Sequence, residues 1–205
     1  MTKKKTANAR QERLEAARRE QQAAEKKKTL ILYGAAALAV VIIAGAVFWA
    51  IANDEGRKIA ASGTIEGVQT YEYAGGAHTP EQVDYAETPP VGGEHDAAWL
   101  NCGIYDKPVP NENAVHSLEH GAVWITYQPD LAADQVDKLK DLTPQTYGLL
   151  SPFADMDSPI TISAWGHQLK VDSAEDARIG AFIKEYRQGP QTPEPGAACT
   201  GGVDA

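Results

Sequence analysis

Hydrophobic and polar positions fall into three regimes along this 205-residue chain. From Thr29 to Asn53 the apolar pattern is nearly continuous: TLILYGAAALAVVIIAGAVFWAIAN runs for 25 residues without a charge. About 20 apolar residues in helical form cross a bilayer core, so this stretch is expected to be a transmembrane helix with room to tilt. Tyr33 and Trp49 stand near its two ends, where aromatic rings suit the interfaces. Ala50-Ile51-Ala52 offers the small residues of a signal cleavage site, but signal cores run to only about 15 residues. An uncleaved anchor is the expectation.

Beyond the anchor the apolar pattern changes period. Residues 71–110 are broken by Pro80, Pro89-Pro90, Gly92-Gly93, Pro108 and Pro110, which favours ordered loops with Trp99 and Tyr105 as apolar anchors. Ala122–Tyr127, AVWITY, has the β-branched and aromatic content of a buried strand. Leu131, Val136, Leu139 and Leu142 recur at helical spacing, with Asp130 as the expected N-cap and Pro144 as the stop. Ile160–Trp165 alternates as a strand, and Gln168–Val171 is its expected hairpin partner across Gly166-His167. Ser173 and Asp176 mark the start of a last helix over 174–187, closed by Gly189-Pro190. This order predicts an α+β domain: a loop-rich part with two helices and a small, largely antiparallel sheet.

Charge divides the chain at the same places. Residues 1–28 carry ten Lys/Arg against four Asp/Glu, and residues 54–205 carry nine against twenty-four. Lys26-Lys27-Lys28 abuts one end of the apolar run and Asp54-Glu55 the other, so the positive-inside rule puts the N-terminus in the cytoplasm and the acidic part outside. The expected organisation is a basic helical segment over 1–28, the anchor over 29–53, a linker over 54–70 and an extracytoplasmic domain over 71–205. The basic segment lacks an apolar face and intersperses Glu among its cations. It therefore reads as a solvated helix near anionic lipid and not as a nucleic-acid binder.

Both cysteines, Cys102 and Cys199, lie in the outer part, where an oxidising compartment favours a disulfide. Cys102 as a metal thiolate is the alternative. Four of the five histidines, His78, His95, His116 and His120, fall in one 43-residue window. His116-Ser117-Leu118-Glu119-His120 spells H-x-x-E-H, in which two histidines hold zinc and the glutamate activates water on a long helix. Here Pro110 and Gly121 leave room for little more than two turns before a strand begins, which argues against protease chemistry. Two readings stay open: imidazoles that hold a helical corner together, or a non-catalytic copper or zinc site. For the latter the candidate ligands are His95, His116 and His120, with Met156 as a soft ligand for copper and Glu119 orienting an imidazole from the second shell. His78 reads as a loop residue and His167 as solvent-facing.

Tyr85-x-x-x-Pro89-Pro90-x-Gly92-Gly93-x-His95, Trp99, Cys102-Gly103-x-Tyr105 and Val115-His116-Ser117-Leu118-Glu119-His120-Gly121 resemble a bacterial family known as domain of unknown function 3105. Ala164-Trp165-Gly166 and Gly189-Pro190 continue the likeness, which spans most of residues 70–202. This chain has Gly92 where the family commonly has Ser. The resemblance implies a membrane-tethered extracytoplasmic domain with a His-rich signature, acting as an accessory subunit of a membrane complex such as a respiratory one. The expected function is therefore binding without catalysis, with copper or zinc as the cofactor and other membrane-complex subunits as partners. A hydrolase using the HSLEH motif is the alternative.

Overall fold

A computed structural model describes residues 64–205, together with Tyr33 and residues 42–45. The chain divides into two compact units, Met1–Asp54 and Glu55–Ala205. In the first unit, Tyr33 and residues 42–45 are helical and exposed. The basic segment, most of the expected anchor and most of the expected linker lie outside the described residues. Among the described residues no helix is long and apolar enough to cross a membrane.

The second unit is an α+β domain built on one six-stranded sheet. In chain order its elements are β1 (Gln69–Thr70), β2 (Gly103–Ile104), α1 (Asn111–Glu119), β3 (Val123–Tyr127), α2 (Ala133–Leu142), β4 (Gly148–Pro152), β5 (Ile160–Ala164), β6 (His167–Val171) and α3 (Ala177–Tyr186). The strands lie in the order β1-β6-β5-β3-β4-β2. β1, β6, β5 and β3 pair antiparallel, whereas β4 runs parallel to both β3 and β2. The sheet is thus mixed: three of its five pairings are antiparallel, and the two parallel ones made by β4 were not expected. The cause is α2: a helix between β3 and β4 carries the chain back to the end where β3 began, which makes the next strand parallel.

β4, with the sequence GLLSP, gave no strand signal because it is short, opens on Gly148 and ends on Pro152. Gly148 is needed there, since a Cβ would lie 2.8 Å from the Pro144 ring. The helices otherwise match their apolar spacing, with trimmed starts. Ala132, not Asp130, stands at the N-cap of α2, and no side chain caps it. α3 begins after Asp176, whose carboxylate accepts from the Arg178 amide at 2.9 Å. The β5–β6 turn is Trp165-Gly166, one residue earlier than expected, because Ala164 pairs with His167. Ile65 is buried in the core and β1 pairs with β6, so the domain's packing reaches back into the expected linker.

Alternation along β3 separates two apolar layers. Val123, Ile125 and Tyr127 join Leu139 of α2 and Ile179 and Phe182 of α3 on one face of the sheet. Trp124 joins Val115 and Leu118 of α1, Leu100 and Trp165 on the other. α1 therefore sits alone on its face, covered by the loop-rich N-terminal part and the C-terminal tail. Cys102 and Cys199 form a disulfide that joins those two coverings, with Cα atoms 5.4 Å apart. This leaves no thiolate for a metal among the described residues.

Candidate metal centre

The site grows out of the end of α1. Its nine residues start after Pro110, and Ala114, Val115 and Leu118 bury one face against the sheet. The Ser117 hydroxyl fastens the helix to the loop before it by donating to the Leu100 carbonyl at 2.6 Å. The helix stops in a Schellman motif. Gly121 has φ of +96°, its amide donates to the Leu118 carbonyl, and the Ala122 amide donates to the Ser117 carbonyl, both at 2.9 Å. A side chain at Gly121 would also come within 3.1 Å of Gln188 and Thr192. This stop leaves His116 in the last turn and His120 at the C-cap, one turn apart.

Two loops bring further rings to that corner. Residues 77–79 and 95 form a short backbone bridge, in which the Thr79 amide donates to the His95 carbonyl and the His95 amide to the Ala77 carbonyl. The bridge sets His78 and His95 side by side, ring centroids 4.9 Å apart. The rings of His78 and His95 lie 4.9 and 4.8 Å from that of His116, which in turn lies 4.5 Å from His120. Trp99 packs beside His116 and His120, and Trp165 beside His95. Gly92 lets the Tyr73 ring close over the same loop, since a Cβ there would lie 2.7 Å from it. A Ser at this position would displace that ring.

The hydrogen bonds fix how the rings face. His95 Nδ1 lies 2.8 Å from the Gly93 carbonyl, His116 Nδ1 2.6 Å from that of Asp96, and His120 Nδ1 2.6 Å from that of Ala198. A carbonyl oxygen only accepts, so in each ring the proton is on Nδ1 and the neutral form carries a bare lone pair on Nε2. Those lone pairs converge. His116 Nε2 lies 2.9 Å from His120 Nε2, and His95 Nε2 lies 3.0 Å from Glu119 Oε2. The other carboxylate oxygen, Oε1, accepts from the Gly76 amide. Glu119 and His95 are wholly buried, and His116 and His120 nearly so.

Two acceptors facing each other at hydrogen-bond distance repel unless a proton or a cation lies between them. Burial pushes the pKa of His116 below the usual imidazole range, and His120, His95 and His78 push it the same way, while the Asp96 carbonyl opposes them. That disfavours protonation of His116 and keeps its lone pair free for a metal.

Two groups of donor atoms result, each lying within 4.8 Å of one another: His78, His95, His116 and Glu119, and then His116, His120 and Glu194. Of the expected ligands, His116 shares one group with His95 and the other with His120, and no single group holds all three. Glu119, expected to orient a ligand from the second shell, places its carboxylate beside His95, with His78 Nε2 at 4.0 Å, close enough to join the donor group itself. His78 and Glu194 are additions. The signal for His78 was its place in the histidine window. Glu194 lies in a Pro/Gly tail that offers none.

Met156 is not brought to the cluster. Its carbonyl accepts from Gln128, just past the C-terminal end of β3, whereas His120 precedes the start of that strand. A five-residue strand spans about 16 Å, which puts the thioether at the other end of the sheet. His167 is half-buried, its ring stacked on Tyr186 at 4.4 Å, and is less open to solvent than expected.

The fold and site together define an α+β domain with a buried histidine–carboxylate cluster closed by a disulfide. The chain belongs to the DUF3105 family of proteins of unknown function, whose model matches residues 78–201. The match begins at His78 and takes in every member of the cluster and both cysteines. No curated protein and no solved structure matches the chain.

Proposed function

We propose that the domain is a metal-binding module that holds a zinc or copper ion between His78, His95, His116 and Glu119. The observation that carries this reading is that His95 and His116 each spend the Nδ1 proton on a backbone carbonyl, which leaves Nε2 bare, while the buried Glu119 carboxylate lies 3.0 Å from His95 Nε2 and 4.0 Å from His78 Nε2. Metal-bound histidines make that same hydrogen bond with the other ring nitrogen, which fixes the tautomer and the ring plane. Three imidazoles and one carboxylate suit zinc or copper, and not the oxygen-seeking calcium or magnesium.

The role is binding and not turnover. A general base needs a free carboxylate oxygen facing a water; in this reading Glu119 Oε1 accepts from the Gly76 amide and Oε2, facing His95 Nε2, is a ligand of the ion, which leaves neither oxygen to a water. We further propose that the uncharged run over 29–53 tethers this module to the outer face of a bacterial membrane. There it serves as an accessory or assembly subunit of a larger complex, for example a respiratory one. The acidic composition of residues 54–205 supports docking to a basic partner surface.

Metal analysis of the full chain purified in detergent tests the site. One zinc or copper ion per chain is expected, with loss of the ion in His95→Ala and Glu119→Gln. A wild-type chain that holds no transition metal after loading would refute it. Recovery of the chain solely as a monomer from mildly solubilised membranes would refute the accessory role.

A further inference from the structure

The second donor group, His116, His120 and Glu194, is not explained by a single buried site. His120 Nε2 faces His116 Nε2 at 2.9 Å and Glu194 Oε2 at 3.4 Å. The Glu194 side chain is 47% exposed, whereas that of Glu119 is wholly buried. Resting on the metal-binding reading above, the geometry points to a second, outer seat through which the ion reaches and leaves the inner one, with His116 common to both.

The sharing is strict. His116 Nδ1 is bonded to the Asp96 carbonyl, so the residue has one lone pair, on Nε2, to offer. An ion in either seat lies about 2 Å from that atom, and the seats cannot be filled together. Passage inward keeps the bond to His116 Nε2. The bonds to His120 Nε2 and Glu194 Oε2 break, those to His95 Nε2, His78 Nε2 and Glu119 Oε2 form, and water fills any position left open. No electron moves, and the metal keeps its charge throughout.

The outer seat is held in place by the tail that supplies it. The Glu194 amide donates to the Glu119 carbonyl at 3.2 Å, and the Ala198 carbonyl accepts from His120 next to the Cys102–Cys199 disulfide. One carboxylate is therefore anchored over the end of α1 while remaining open to solvent. A half-exposed carboxylate attracts a cation from solution, and a buried one completes its coordination.

Cobalt(II) binding to the full chain in detergent, followed by its visible absorption and by release to a chelator, tests the proposal. One ion per chain is expected. Glu194→Gln slows both loading and release about tenfold, so that its equilibrium affinity falls far less than either rate, while Glu119→Gln loses affinity outright. Glu175→Gln, which removes an equal charge from the exposed turn before α3, leaves the rates unchanged. Two ions bound tightly per chain would overturn the shared lone pair. Glu194→Gln with wild-type rates, or with the same loss of affinity as Glu119→Gln, would overturn the outer seat. A wild-type chain that binds no ion removes the inner site itself, and this proposal with it.

Discussion

His116 Nε2 and His120 Nε2 lie 2.9 Å apart, and each ring gives its Nδ1 proton to a backbone carbonyl on a different segment of chain. Asp96 belongs to the loop before α1 and Ala198 to the tail after α3, so the disulfide that ties these segments also fixes the two imidazoles. Spacing of four on a helix puts two rings on one face, but here the Schellman stop at Gly121 and the two carbonyls aim them at each other.

A ligand that binds only the folded state stabilises it by mass action. Zinc at one hundred times its dissociation constant is expected to stabilise the wild-type domain by about 2.7 kcal/mol, read as a rise in unfolding midpoint. The same addition leaves the midpoint of Glu119→Gln unchanged. An equal rise in both proteins would mean that the ion binds elsewhere.

Met156 is buried but lies past the opposite end of β3 from His120. Met156→Leu conserves volume and is expected to cost less than about 1.5 kcal/mol. Metal affinity stays at the wild-type value, as an equilibrium titration would show. A large loss of copper affinity would return the thioether to the site.

The Cys102–Cys199 bridge spans 97 residues. Closing a loop of that size restrains the unfolded chain by about 4–5 kcal/mol in the chain-entropy model. The double variant Cys102→Ser/Cys199→Ser is expected to lose most of that in urea unfolding. It also frees the Ala198 carbonyl from its fixed place against His120. Metal release from the variant is therefore faster than from wild type, and identical release kinetics would separate the bridge from the site.

Asp176 caps α3 and pairs with Arg178, which holds its carboxyl below the usual carboxylate range; partial burial works against that shift. Its contribution is present above the unfolded-state value of about 3.9 and is lost as pH falls through the lower folded-state value. Asp176→Ala is expected to cost about 1 kcal/mol at neutral pH. The gap between the two proteins narrows as pH falls below about 4. A gap that is constant from pH 7 to pH 3 would mean that the charge contributes nothing.

The parts of the fold readable in sequence were those with local causes. Trp124 and Ile125 mark a buried strand by type, Val136 and Leu139 mark a helix by spacing, and Gly166 marks a hairpin. β4 was hidden because Gly148 and Pro152 look like loop residues, and its strand character comes from pairing on both edges with β3 and β2. The histidine window pointed to the site, and the short helix was legible from Pro110 and Gly121. The position of Glu119 was not. A glutamate beside a histidine reads as an orienting group, and its place as a partner of His95 depends on a loop 24 residues away. Glu194 is set by the disulfide and by a backbone bond to Glu119, neither of which leaves a periodic trace.

X-ray absorption at the metal edge of the loaded full chain tests the central claim most directly. A first shell of nitrogen and oxygen alone at about 2.0–2.1 Å, with the outer scattering of imidazole rings, is the predicted result. A sulfur shell at about 2.3 Å, or a shell without imidazole scattering, would contradict a centre built from His78, His95, His116 and Glu119.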